Sequence, residues 1–338
     1  SNEYGRVDRV AGWFLLARMY LNAQTWINEN KYQEAYAYAV KVIADGHYPL
    51  ASDYREIFLA DNNTCKEIIW PLVQDGLRAQ SSAGTNFYVK AFVNGPMDEL
   101  YKTGVGSRGW GNVRAKVSLV DAFDADDVMF DGNDTWGNNK KDKRAQFMTA
   151  LPNQVKDTWD VNMDMTSTFT CGYGYIKWRN VTKEDELCPS GDAYTSIDFP
   201  LFRTADAYLM AAEAILRGAN GTQSEALGYV NEVRTRAYMS GKYAKNGVRS
   251  DVSGEITANE LNLDFLLVER QKELASELTR RTDLIRFGKY TKGNNWDWKN
   301  GVRLGADVDD KYNLFPIPES ELTNNPTLVQ NDGYKVIK

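Results

Sequence analysis

Two stretches of this chain, far apart in sequence, repeat one spacing of large and small apolar residues, and that spacing limits the fold more than any other feature. In the first, Trp13, Leu16, Ala17 and Tyr20 fall at i, i+3, i+4 and i+7, one face of a helix. After a break at Asn28-Glu29-Asn30, Ala35, Ala39 and Val42 fall at i, i+4 and i+7. In the second, Tyr208, Ala211, Ala212 and Ile215 repeat the first pattern, Gly218-Ala219-Asn220-Gly221 interrupts it, and Ala226, Val230 and Val233 repeat the second. These are the packing positions of a tetratricopeptide helix–turn–helix, with longer turns. Small residues at a crossing let helices approach closely, so the pairs are expected to stack as a solenoid. Gly46 is placed to stop the second helix as a left-handed cap. A further helix is expected over 262–278, with Leu266, Leu267, Arg270, Leu274 and Leu278 on one face. Two pairs fall short of the usual minimum for a stable array. The chain is therefore expected to be part of a longer protein, or to be braced by what lies between the pairs.

The intervening sequence has a different composition. Residues 71–198 replace the Ala/Leu pattern with Gly, Asn, Asp, Trp and Tyr, and no helical period persists except over Val117–Phe123. Long loops and short strands are expected, and the aromatic content argues against disorder. The fold class expected is mainly α: tetratricopeptide-like α-solenoid helix pairs with a long irregular, loop-rich segment packed on them. Residues 1–70 would form the first helix-pair region, 71–198 a ligand-binding segment and 199–338 the C-terminal helix pairs and tail, together one compact unit.

A net charge of −6 and the absence of a basic run argue against a nucleic-acid partner. No window of eighteen apolar residues is present, and no signal peptide is visible. Cys65, Cys171 and Cys188 fit no metal or redox spacing. Cys171 and Cys188 could bridge; the alternative is three buried thiols.

Candidate chemistry is sparse. Gly104-Val105-Gly106-Ser107-Arg108-Gly109 matches a dinucleotide fingerprint, but no βαβ pattern surrounds it, so a plain turn is expected. Asp124, Asp126, Asp127, Asp131, Asn133 and Asp134 form an acidic stretch with Trp136 where a calcium loop needs glycine. A solvated loop is expected there, and a structural calcium ion is not predicted. Asp61-Asn62 is read either as another oxygen site or as a helix cap. With His47 as the one histidine, His-dependent triads and multi-His metal sites are ruled out within the chain. No catalytic residue, metal site or cofactor is assigned.

Aromatics in glycine-rich sequence are the better clue, because sugar C–H faces stack on flat rings while Asn, Asp and Arg bond hydroxyls. Trp110, flanked by Gly109 and Gly111 and followed by Asn112 and Arg114, has this makeup, with Tyr88 and Tyr101 nearby in sequence. Trp136, Tyr173, Tyr175 and Trp178 form a second set, and Trp296-Asp297-Trp298 a third. The site set expected to contact ligand is Trp110, Asn112, Arg114, Tyr88, Tyr101 and Trp178.

Five blocks in the last third occur in a telling order. They are Phe199–Asp206, Glu269–Glu277, Asp283-Leu284-Ile285-Arg286-Phe287-Gly288, Leu314-Phe315-Pro316-Ile317-Pro318, and Gln330-Asn331-Asp332-Gly333-Tyr334. Together with Leu15–Ala23, Glu67-Ile68-Ile69-Trp70 and Leu119–Phe123, they resemble the SusD-like (SusD/RagB) family. The resemblance implies a non-catalytic cell-surface glycan-binding lipoprotein, anchored at the outer membrane by an N-terminal lipid absent from this chain. It also implies delivery of an oligosaccharide or polysaccharide to a SusC-like TonB-dependent transporter, and a ligand-stacking role for Trp110. Two rivals follow from the residues alone: a tetratricopeptide-type protein-interaction module and a glycoside hydrolase. Within the blocks, Glu269, Glu273 and Glu277 share a helix face and are expected to pair with Arg280, Arg281 and Arg286. Pro316 and Pro318 fix an extended run that ends near Glu319.

Overall fold

The computed structural model describes residues 3–128, 140–149, 173–239 and 253–335. The chain divides into two compact units, Ser1–Leu278 and Thr279–Lys338. The first unit holds both repeats and the irregular segment between them.

Helix α1 (Arg9–Ile27) starts where Asp8 accepts the Ala11 N–H at 2.8 Å and ends at Asn28 in the left-handed region. Helix α2 (Tyr32–Asp45) stops at Gly46, whose φ of 76° suits glycine as expected. After strand β1 (Ile68–Leu72) the chain enters the irregular segment, which carries α3 (Thr85–Ala91), α4 (Gly95–Tyr101), the single turns α5 (Val117–Val120) and α6 (Ala125–Val128), and strands β2 (Phe147–Thr149) and β3 (Tyr173–Tyr175). Strand β4 (Phe199–Arg203) pairs antiparallel with β1 and runs into α7 (Thr204–Leu216), followed by α8 (Gln223–Met239) and α9 (Leu263–Leu274).

The two helix pairs stack as the spacing predicts. Ala35, Ala39 and Val42 of α2 share a core with Ala207, Met210, Ala211 and Ala214 of α7. Ala212 and Ile215 meet Ala226, Val230 and Val233 of α8 and Leu266 of α9. One detail differs. The most buried line of α1 is Val10, Phe14, Ala17 and Leu21, offset from the predicted face. Both sides of α1 are used: Tyr20 stacks on Tyr38 of α2, while Phe14 stacks on Phe202 of β4 at 4.6 Å. A single-face reading cannot place a helix packed on two neighbours.

The expected carboxylate row exists, but its partners differ. Arg203 bonds Glu67 at 2.9 Å, Glu273 at 2.7 Å and Glu277 at 2.6 Å. Arg236 bonds Glu67 and Glu273. Arg144 bonds Asp142, Glu269 and Glu273, Arg234 bonds Glu269, and Lys177 bonds Glu277. All ten of these residues are buried. They form a charge-balanced lattice in which β4, α8, α9 and the irregular segment meet. By contrast, Arg281 donates to the Tyr312 and Asn313 carbonyls, and Arg286 bonds Asp283. Leu278 is exposed rather than facial, because α9 ends at Leu274 and the chain turns through left-handed Ser276 and Leu278, with Glu277 between them in the lattice.

The second unit contains α10 (Arg280–Arg286), the extended Leu314–Pro318 run and α11 (Glu319–Asn324), which begins directly after Pro318. Trp296 and Trp298 are half-buried there, Trp296 against Tyr290 and the Lys299 ammonium.

Candidate functional site

Helix α3 sets the site. Thr85, Tyr88, Val89 and Phe92 fall at i, i+3, i+4 and i+7 and turn inward, leaving Phe87 off that face and 42% exposed. The end of α3 leaves carbonyls without helical partners, and the segment carrying Trp110 satisfies them. Trp110 N–H donates to the Lys90 carbonyl at 2.8 Å, and Asn112 and Val113 donate to that of Ala91. Gly111 donates to Val93. Trp110, 40% exposed, is thereby placed beside Phe87, with ring centroids 6.2 Å apart and planes at 60°. Among the described residues of the first unit, Tyr4, Trp26, Phe87 and Trp110 are the aromatics this exposed, and only Phe87 and Trp110 are in ring contact with each other.

The glycine fingerprint is the brace for this platform. Gly104, at φ 81°, faces the Asn180 carbonyl, and a side chain on Gly109 would collide with the Val93 carbonyl. Asp98 gathers the turn: one carboxylate oxygen accepts from Thr103 Oγ1 and Val105 N, the other from Gly106 N at 2.8 Å. Arg108 pairs with Asp192 at 2.9 Å. The turn reading is therefore correct, and close backbone packing is the reason for the glycines.

Of the predicted site residues, Trp110 and Asn112 are exposed and Arg114 is half-buried in the same segment. Tyr88 is half-buried and lies under the platform, touching Phe87 at 5.8 Å and stacking on Trp178 at 5.3 Å; burial raises its phenol above the ordinary value. Tyr101 and Trp178 are corrections. Both are core residues, at 2% and 1% exposure, with Trp178 packed on Phe58, Tyr88 and Phe199, so neither offers a free ring face. Tyr173 and Tyr175 are likewise enclosed around Phe147. Phe87 was missed, although the inward spacing of its neighbours carried the signal.

The remaining candidates resolve differently. Trp136, Asp131, Asn133 and Asp134 lie outside the described residues. Asp127 is not solvated: it is buried, and its carboxylate accepts the N–H groups of Lys141 at 2.7 Å and Asp142 at 3.0 Å. Among the described residues no group of three or more His, Cys, Asp or Glu is placed to hold a metal. Asn62 is a structural clamp, buried and bonded to the Ile57 and Asp198 backbones. Cys65 and Cys188 are buried free thiols, while Cys171 lies outside the described residues; burial pushes the Cys65 thiol up to about 12.

An α-solenoid of two tetratricopeptide-like pairs, carrying an irregular segment with an exposed aromatic pair, defines a scaffold-and-platform architecture. Comparison with known sequences places it: the SusD family profile matches residues 66–334, and the chain belongs to that family. It is 33% identical over 362 residues to the starch-binding protein SusD of Bacteroides thetaiotaomicron, covering 98% of this chain and 61% of that protein. SusD-like protein P25 of Formosa agariphila is 25% identical, covering 98% of this chain and 60% of that protein. The chain thus spans about three-fifths of the length of these relatives. Among solved structures, surface glycan-binding protein A from Bacteroides thetaiotaomicron in complex with laminarihexaose superposes with a TM-score of 0.63 at 22% identity, covering 98% of this chain and 65% of that one. A SusD-like protein from Bacteroides fragilis gives a TM-score of 0.65 at 21% identity, covering 99% and 66%. These structural likenesses bear on the fold.

Proposed function

We propose that the protein is a non-catalytic, cell-surface glycan-binding protein that stacks oligosaccharide on Phe87 and Trp110. The observation that carries this reading is the exposed ring pair itself. Two adjoining aromatic faces outside the core are costly to leave in water and suit the C–H faces of neighbouring sugar residues. Asn112 beside them, and Arg114 in the same segment, supply hydroxyl contacts. The carboxylates of the turn argue for binding rather than hydrolysis: Asp98 has both oxygens engaged and Asp192 is paired with Arg108. The relatives named for starch and solved with laminarihexaose support a glycan as the ligand class. In the same reading the protein sits at the outer membrane, held by a lipid on an N-terminal extension, and passes its ligand to a SusC-like TonB-dependent transporter. The test is calorimetry with maltohexaose, laminarihexaose, cellohexaose and xylohexaose, alongside a reducing-end assay. Binding of one class without release of reducing ends is expected. Turnover, or silence toward the whole panel, would refute the reading.

A further inference from the structure

Trp110 is held through one residue of α3. Lys90 follows Phe87 by three positions, and its carbonyl accepts the Trp110 N–H at 2.8 Å. The side chain of the same residue reaches a different part of the chain. Lys90 is only 7% exposed, and its ammonium donates to the Ala193 carbonyl and lies 5.8 Å from the centroid of the Tyr194 ring. Among the described residues that carbonyl is its one hydrogen-bond acceptor. An apolar side chain of the same length would fill this space without the cost of burying a charge, so stability alone does not account for the lysine.

The segment that Lys90 holds is a turn closed on itself. Gly191 N–H donates to the Cys188 carbonyl at 2.7 Å, and Ser190 Oγ donates to the Tyr194 carbonyl at 2.6 Å. Asn180 Nδ2 donates to the Gly191 carbonyl at 2.8 Å and to the Gly104 carbonyl at 3.1 Å, which ties this turn to the one that precedes Trp110. Asp192 then pairs with Arg108, two residues before the indole. The contacts form a ring: from Trp110 to Lys90 through the backbone, from Lys90 to Ala193 through the ammonium, from Asp192 to Arg108, and back along the chain. The three charges act on one another, since burial lowers the Lys90 ammonium below its ordinary value, Arg108 adds to this and Asp192 opposes it. Gly109 and Gly111 flank the indole, and glycine backbones have the freedom to swing it if a tie is released. We propose that Lys90 is the positioning residue of the platform: through the 192–194 turn it sets the direction in which the Trp110 ring faces, without touching ligand. Its effect on glycan binding rests on the platform reading above; its effect on the ring does not.

The experiment is fluorine NMR on the whole chain labelled with 5-fluorotryptophan, with the Trp110 resonance assigned by its loss in Trp110→Phe. Lys90→Met keeps the length of the side chain and removes the ammonium. It should move or broaden the Trp110 resonance and leave those of Trp13, Trp26 and Trp296 in place. Asp192→Asn, an exposed substitution, should act in the same direction, and it carries the test alone if Lys90→Met does not fold. The second arm is calorimetry with maltohexaose and laminarihexaose. Lys90→Met should raise Kd roughly fivefold in the parent, the share of stacking that depends on ring geometry, and should add nothing in a Trp110→Ala background. The proposal is overturned if the Trp110 resonance stays in place in both variants, if all tryptophan resonances move together, or if Lys90→Met weakens binding equally in both backgrounds. A displaced Trp110 resonance in a chain that binds neither hexasaccharide would sink the platform reading and leave the positioning role standing.

Discussion

Replacing Trp110 by alanine tests the platform most directly, and its size can be worked from exposure. Trp110 is 40% exposed, so of roughly 250 Å² for a large aromatic side chain about 100 Å² remains in water. One sugar ring covers one face and its margin, about half to all of that area. At ~25 cal/mol per Å² this is about 1–2.5 kcal/mol for the indole, or a roughly 5- to 70-fold rise in Kd. Phe87→Ala, removing a smaller ring of similar exposure, should cost somewhat less. Because the rings are in contact at 6.2 Å, a bound chain would touch both, and the double variant should lose less than the sum of the singles. Calorimetric titration of the hexasaccharide that binds best, at constant ionic strength, gives all four corners of the cycle. A Trp110→Ala Kd within twofold of the parent, with the melt unchanged, would refute the stacking argument.

Three further outcomes follow from the geometry. Glu273→Gln leaves Arg203, Arg236 and Arg144 facing a neutral amide in a buried lattice and should cost about 3–5 kcal/mol, read by urea denaturation. Acid should act on the same lattice and on buried Asp206, which is held apart from it by Arg18 and Arg270, each at 2.8 Å. Burial alone would raise Glu273 and Asp206, but the surrounding arginines overcome it and hold both well below the ordinary carboxylate range. Their folded values lie below the unfolded ones, so their contribution is complete above about pH 4.5 and is lost as pH falls through the folded values. The melting temperature should therefore be steady from pH 7 to 5 and drop steeply below 4; a flat profile to pH 3 would contradict the assignment. Finally, Gly109→Ala, which sets a methyl group against the Val93 carbonyl, should shift the segment bearing Trp110. It should weaken glycan binding by about tenfold while costing about 1–3 kcal/mol in stability; unchanged affinity would mean that the turn does not position the ring.

The helix pairs were legible in the sequence because their information is local. Ala35, Ala39, Val42, Ala226, Val230 and Val233 sit on one face each, and a period of 3.6 suffices to find them. Gly46 was legible for the same reason. The ion lattice was half legible. The row Glu269, Glu273, Glu277 follows from helical spacing, but Arg144, Arg203 and the α8 pair Arg234 and Arg236 reach it from three other places in the fold, and pairing across such distances leaves no local pattern. The nearby Arg281 was a natural guess, but it donates to the Tyr312 and Asn313 carbonyls instead. The exposure of Trp110 and Asn112 was legible because glycines around an aromatic mark an irregular surface segment. Tyr101 and Trp178 were misplaced because composition cannot tell a ring that faces solvent from one that fills a core built without regular secondary structure. Phe87 could have been found by reading α3 as a short amphipathic helix.

The lattice also explains how a segment with so little regular structure can hold a platform. Lys177 enters the lattice through Glu277, and its neighbour Trp178 fills the adjoining aromatic core. Tyr88 stacks on Trp178, Phe87 touches Tyr88, and Trp110 touches Phe87. A continuous series of contacts therefore runs from the buried charges to the exposed rings. Hydrophobic packing alone tolerates small slips, whereas a buried charge moved away from its partner is left uncompensated at a cost of several kcal/mol. An arrangement fixed by directional ion pairs at one end can thus keep two surface rings at a set tilt without a sheet or a long helix beneath them.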